Sequence, residues 1–82
     1  MKKTIHSEQG VLIRDALRQV REKAGLTQRE LCRILGKEHT FISKCELGER
    51  RIDIAEFYWI CKACEASPRK EVEKLIKAFD KL

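Results

Sequence analysis

His39, Thr40 and Lys44 fall, with Ser43 and Leu47, on one side of any helix drawn through them, opposite Ile42 and Cys45. Lys44 is a pure donor, the Thr40 hydroxyl donates and accepts, and His39 does either according to its tautomer. Such a set suits recognition by hydrogen bonding. Lys44 can donate to guanine O6 and N7, and Thr40 can bond a base edge or touch a thymine methyl. Phe41 between them has two readings: it packs on the rim of a core, or it lies against deoxyribose and thymine methyl groups. Catalysis is not expected. Neither His6 nor His39 has a matched nucleophile or carboxylate partner, and no glycine-rich loop is present to cradle a phosphate.

The elements that must position these side chains are helices. Thr27 and Glu30 have the spacing of a capping box, which starts a helix at a defined residue. Leu31, Ile34 and Leu35 give that helix one apolar side, and Gly36 supplies the left-handed geometry that ends it. A short turn to His39 leads into a second helix with Ile42 and Cys45 inward. Two short helices meeting at a glycine turn, over about 27–47, form a helix-turn-helix pattern and point to DNA.

Flanking segments read the same way. Residues 1–6 are expected to be a flexible basic tail, and 7–82 a single domain. Ser7 is the expected cap of a first helix whose Ile13, Leu17, Val20 and Ala24 share a buried face, and Gly25 stops it. Asp53 and Glu56 form a second box-like start, and Ile54, Phe57, Ile60, Cys61 and Cys64 are expected inward on the helix that follows. Ser67 and Pro68 begin a last helix over about 68–81. Its stripe of Val72, Leu75, Ile76 and Phe79 is more apolar than one small core requires, which suggests a dimer interface bordered by Tyr58 or Trp59.

The chain has 82 residues, with 18 Lys and Arg against 13 Asp and Glu, a net charge of +5. A single small domain is therefore expected, at a size where dimerisation often helps. The basic balance favours a polyanionic partner. No apolar run approaches a membrane span and no signal-peptide core is present, so a cytoplasmic location is expected. The four cysteines include a Cys61-x-x-Cys64 pair. A pair inside a helix lacks the turn of a zinc knuckle, and a free cysteine behaves as a small buried hydrophobe, so no metal is expected.

Leu17-x-x-Val20-Arg21, Gly25-Leu26-Thr27-Gln28, Glu30-Leu31-x-x-x-Leu35-Gly36 and Ile42-Ser43-x-x-Glu46-x-Gly48-x-Arg50 stand in register. In these residues, from about Leu17 to Pro68, the sequence resembles the Cro and lambda-repressor type of helix-turn-helix family, often called the XRE family. The resemblance implies an all-α fold of five helices, lambda-repressor-like, whose second and third form the motif. It implies that His39, Thr40, Lys44 and the adjacent Phe41 read bases from the major groove. Gln28 matches the family's phosphate clamp, with Ser43, Arg50 and Arg51 as further phosphate contacts. Arg21 and Glu46 match a structural ion pair that fixes the recognition helix.

Three residues in the motif depart from that pattern. Lys37 stands where an apolar residue is usual, Glu38 where Ser or Thr caps the recognition helix, and Leu47 where a polar phosphate contact is common. Glu65 replaces a glycine after the fourth helix, which is expected to lengthen that helix. The resulting expectation is a dimeric transcriptional regulator, a repressor on double-stranded DNA that needs no cofactor. The alternatives are an antitoxin that also binds a toxin protein, and a restriction-modification controller protein.

Overall fold

The computed structural model describes residues 7–82, so the tail expected over residues 1–6 lies outside it. Five α-helices and no strand make up the described residues: α1 Glu8–Lys23, α2 Gln28–Leu35, α3 Phe41–Leu47, α4 Ile54–Ala63 and α5 Pro68–Asp80. Their starts are set by local chemistry. Ser7 Oγ accepts from the Gly10 amide, Ser67 Oγ from that of Lys70, and Pro68 opens α5 without needing a hydrogen bond of its own. Both expected capping boxes form. Thr27 and Glu30 exchange bonds at the start of α2, and Asp53 and Glu56 do so at α4.

Gly36 ends α2 at φ 68°, a left-handed conformation that a side chain would strain. Glu65 takes the same conformation at φ 57° although it is not glycine. The fourth helix therefore ends at Ala63 and is not lengthened.

Packing closes one core. α1 lies against α3 and α5, α2 against α3 and α4, and α4 against α5. Leu17, Leu31, Ile42, Phe57 and Ile60 fill the centre together with all four cysteines. Three inward assignments are corrected. Ala24 is exposed because it is the cap residue where the chain leaves α1, and Leu26 packs against the core instead. Ile34 is exposed because Leu31, Cys32 and Leu35 already define the arc of α2 that faces its neighbours. Ile54, the first residue of α4, is 71% exposed.

The expected dimer stripe of α5 is divided. Val72 and Leu75 pack against the monomer's own core, and Phe79 is half-buried. Of the four, Ile76 alone is exposed. The physical reason is size: the other four helices are too short to close the core, so α5 supplies its lid.

Candidate nucleic-acid interface

α3 is held to the body of the protein from its C-terminal end. Glu46 Oε2 accepts from Arg21 Nε at 2.7 Å and Glu46 Oε1 from Arg21 Nη2 at 3.0 Å. The Arg21 and Glu46 side chains are only 12% and 7% exposed. The remaining Arg21 nitrogen donates to the Leu26 carbonyl at 2.9 Å, so one guanidinium ties α1, the loop before α2, and α3. The hydrogen bond to Glu46 pushes the Arg21 pKa above its ordinary value.

Gln28 joins this cluster. Its Nε2 donates to Glu46 Oε1 at 2.8 Å, which turns the amide toward α3. Gln28 is expected at a phosphate, and the structure places one of its two Nε2 hydrogens on the ion pair, because a nearly buried carboxylate has lone pairs left to satisfy after one guanidinium.

The outer side of α3 and the turn before it present His39, Lys44 and Leu47 to solvent. Thr40 is half-buried, and its Oγ1 donates to Glu38 Oε1 at 2.7 Å. Lys44 Nζ lies 3.6 Å from the same oxygen. Glu38 therefore couples two of the expected base-reading residues, and the Thr40 hydroxyl, then Lys44, hold its carboxyl below the usual carboxylate range. With Thr40 engaged there, α3 starts with no side-chain cap. Ser43 Oγ donates to the Thr40 carbonyl at 3.0 Å, which spends its proton inside the helix. Sequence reasoning missed the Glu38 bridge. Its signal was the spacing of Glu38, Thr40 and Lys44 around the turn and first coil of one short helix.

Phe41 is not on this surface. It is 5% exposed and belongs to the core, which corrects its assignment as a base-reading residue. Two cations lie over its ring, Arg50 Cζ at 4.8 Å and Lys37 Nζ at 5.3 Å from the centroid. The unusual Lys37 thus has a partner, since a cation over an aromatic face is attracted by the ring quadrupole.

Arg50 is also anchored. Its two terminal nitrogens donate to Glu56 at 3.1 and 2.9 Å, and one of them also donates to the Arg51 carbonyl at 2.8 Å. This fork fixes the turn after α3 and draws the Glu56 pKa down. Arg51 beside it is exposed. At the inner edge of the turn Gly48 is buried at φ 83°, where an added Cβ would meet the Arg14 guanidinium at 3.1 Å.

This arrangement is two short helices joined by a glycine turn, the second clamped from behind with polar side chains forward. Residues 13–75 match the profile of a family described as a helix-turn-helix domain. The chain belongs to that helix-turn-helix family. Membership bears out the expectation of a DNA-binding regulator of this type, and no curated protein matches the sequence. In helix-turn-helix proteins the second helix of the motif enters the major groove, and here that helix is α3. Among the described residues no helix is long and apolar enough to cross a membrane.

The cysteines of this helix-turn-helix domain are packing groups. All four are buried free thiols, and Cys32 Sγ accepts from the Ile42 amide at 3.4 Å where α2 meets α3. Burial raises the pKa of Cys45 and Cys64 and pushes that of Cys61 up to about 11. Among the described residues no group of His, Cys, Asp and Glu is placed to hold a metal ion.

Proposed function

We propose that the protein is a sequence-specific transcriptional regulator of the Cro and lambda-repressor type, a cytoplasmic repressor that binds a two-fold operator as a dimer. The observation that carries this reading is the outer side of α3 and the turn before it, where Lys44 and His39 stand exposed and α3 itself is locked to α1 by Arg21 and Glu46. A rigidly presented helix with exposed polar side chains is what base readout requires. Lys44 and His39 read base edges, and Thr40 joins them when its hydroxyl leaves Glu38 for DNA. Arg51 meets a phosphate from the turn after α3. Arg50 contributes charge from its fixed position on Glu56, while Ser43 and Gln28 support the backbone and the ion pair. No cofactor takes part.

Selection from random duplex DNA at near-physiological salt, with sequencing of the bound pool, tests this. A palindromic motif with half-sites about one helical turn apart supports the reading. Binding without enrichment that disappears with salt reduces it to phosphate contact alone. A second reading, an antitoxin that binds its operator and a toxin protein, draws support from the exposed Trp59 and Ile54 on α4, an apolar surface available to another protein. A restriction-modification controller would use the same DNA face. A neighbouring toxin or methyltransferase gene separates these two from a stand-alone repressor.

A further inference from the structure

The carboxylate of Glu38 stands among the side chains that face DNA, yet it carries the charge of DNA. It belongs to the turn between α2 and α3, and its side chain is 66% exposed. Its Oε1 accepts from Thr40 Oγ1 at 2.7 Å and lies 3.6 Å from Lys44 Nζ. Thr40 and Lys44 are four residues apart and share one side of the helix, so contact with both sets the carboxylate over the outer side of α3. An ionised carboxylate donates no hydrogen bond and has about four acceptor positions, of which Thr40 occupies one. The bond from Thr40, then the charge of Lys44, keep the acid ionised at neutral pH.

Base-pair edges in the major groove meet such a group unequally. Guanine shows O6 and N7, and thymine shows O4, all acceptors that repel a carboxylate. Adenine shows its N6 amine beside the acceptor N7, whereas cytosine shows the N4 amine alone. Cytosine is therefore the base that suits Glu38. Its partner guanine suits Lys44. In a C·G pair the guanine O6 is hydrogen-bonded to cytosine N4 at about 2.9 Å, a separation close to the 3.6 Å between Glu38 Oε1 and Lys44 Nζ. An acceptor and a donor on the protein thus face a donor and an acceptor on one base pair.

We propose that Glu38 is a specificity-determining residue that reads one C·G pair jointly with Lys44, the carboxylate accepting from cytosine N4 and the ammonium donating to guanine O6. This rests on the reading of α3 as the recognition helix and names a base pair that it selects. The cytosine amine takes the place of the Thr40 hydroxyl, which is released for a neighbouring base. At other pairs the carboxylate meets acceptors or is desolvated without a donor, and a stranded acceptor costs more than a bond never made. Glu38 therefore acts chiefly by rejecting wrong pairs. The same charge weakens attraction to phosphates in general, so its presence on the DNA face of a chain of net charge +5 favours discrimination over affinity.

The experiment is selection from random duplex DNA with the unaltered chain, Glu38→Gln and Glu38→Ala in parallel, followed by titrations on the selected site. The unaltered chain should select a C·G pair at one fixed position of each half-site. Both variants should lose about tenfold or more of the discrimination at that position and keep the rest of the motif. Glu38→Gln should now accept adenine there, because an amide pairs with N6 and N7 together. N4-methylcytosine at the same position removes the groove-facing N–H while keeping the pair with guanine. It should weaken the unaltered chain about tenfold and leave Glu38→Ala unaffected. Melting temperatures taken alongside show that both variants are folded. One motif common to all three proteins overturns the inference and leaves α3 as the reader, as does a methyl effect that Glu38→Ala shares. Salt-labile binding with no motif for any of the three overturns the reading of α3 itself, and this inference with it.

Discussion

Glu46, one residue from the end of the recognition helix, accepts both arms of the Arg21 guanidinium at 2.7 and 3.0 Å across the junction of α3 with α1. The pair is nearly sealed from solvent. Its electrostatic value is therefore that of a largely buried contact, costly to leave half made.

Glu46→Ala should destabilise the protein by about 3 kcal/mol, because Arg21 and Gln28 both lose their acceptor. For a domain of this size that corresponds to a melting temperature lower by about 10 °C or more. Thermal denaturation followed by circular dichroism checks it. An unchanged midpoint would show the bridge to be irrelevant to stability.

Lys44 and Arg51 should separate in their effects on DNA. Lys44→Ala is expected to alter base preference, with a loss of about 1–3 kcal/mol on the selected site and little on random duplex. Arg51→Ala should weaken all sequences alike and reduce the salt slope by about one. Titrations on both duplexes at several salt concentrations decide this. Equal losses for Lys44→Ala on the two duplexes would remove it from base reading.

Phe41 belongs to the core, so a conservative change there should not touch specificity. Phe41→Leu is expected to cost about 1 kcal/mol of stability and to leave the selected DNA motif unchanged. A shifted motif, measured by repeating the selection with the variant, would return Phe41 to the reading surface.

Glu65 holds a left-handed conformation at φ 57° without being glycine. Glu65→Gly relieves a strain of about 1–2 kcal/mol and gives back part of it as unfolded-chain entropy. The net gain should be about 0.5–1 kcal/mol in urea denaturation. A loss of stability would mean that the Glu65 side chain contributes a contact worth more than the strain.

Stability should fall at both ends of the pH scale, for opposite reasons. Glu56 is held below the usual carboxylate range by the Arg50 fork, and Glu30 by its bond to the Thr27 amide. Their contribution is complete above the ordinary carboxylate pKa of about 4.3 and is lost as pH falls through the lower folded values. Cys61 behaves inversely. Burial raises its pKa, so its contribution is complete below the ordinary thiol value of about 8.5 and is lost as pH rises toward about 11. Urea midpoints from pH 3 to 10 should therefore form a plateau about neutrality. Glu56→Gln should soften the acid edge, and thiol reagents should label Cys61 only in urea.

The sequence by itself determined where α1, α2, α4 and α5 begin and where α2 ends. Ser7, Thr27 with Glu30, Asp53 with Glu56, Gly36 and Ser67 with Pro68 act through hydrogen bonds and backbone preferences spanning a few residues. Chemistry of such short range is complete in the local sequence. The helix-turn-helix register was legible for the same reason, since the capping box and Gly36 fix its phase. Tertiary structure decided which apolar residues went inside. On helices as short as α2 and α3 the apolar arc is too wide for periodicity to choose between Cys32 and Ile34, or to place Phe41, and neighbouring helices made the choice. It likewise divided α5 into a lid of Val72 and Leu75 and an exposed Ile76, and it spent Arg50 on Glu56 and Gln28 on Glu46. A charged or amide side chain reaches any partner within several ångströms, and proximity of that kind exists only once distant segments have packed.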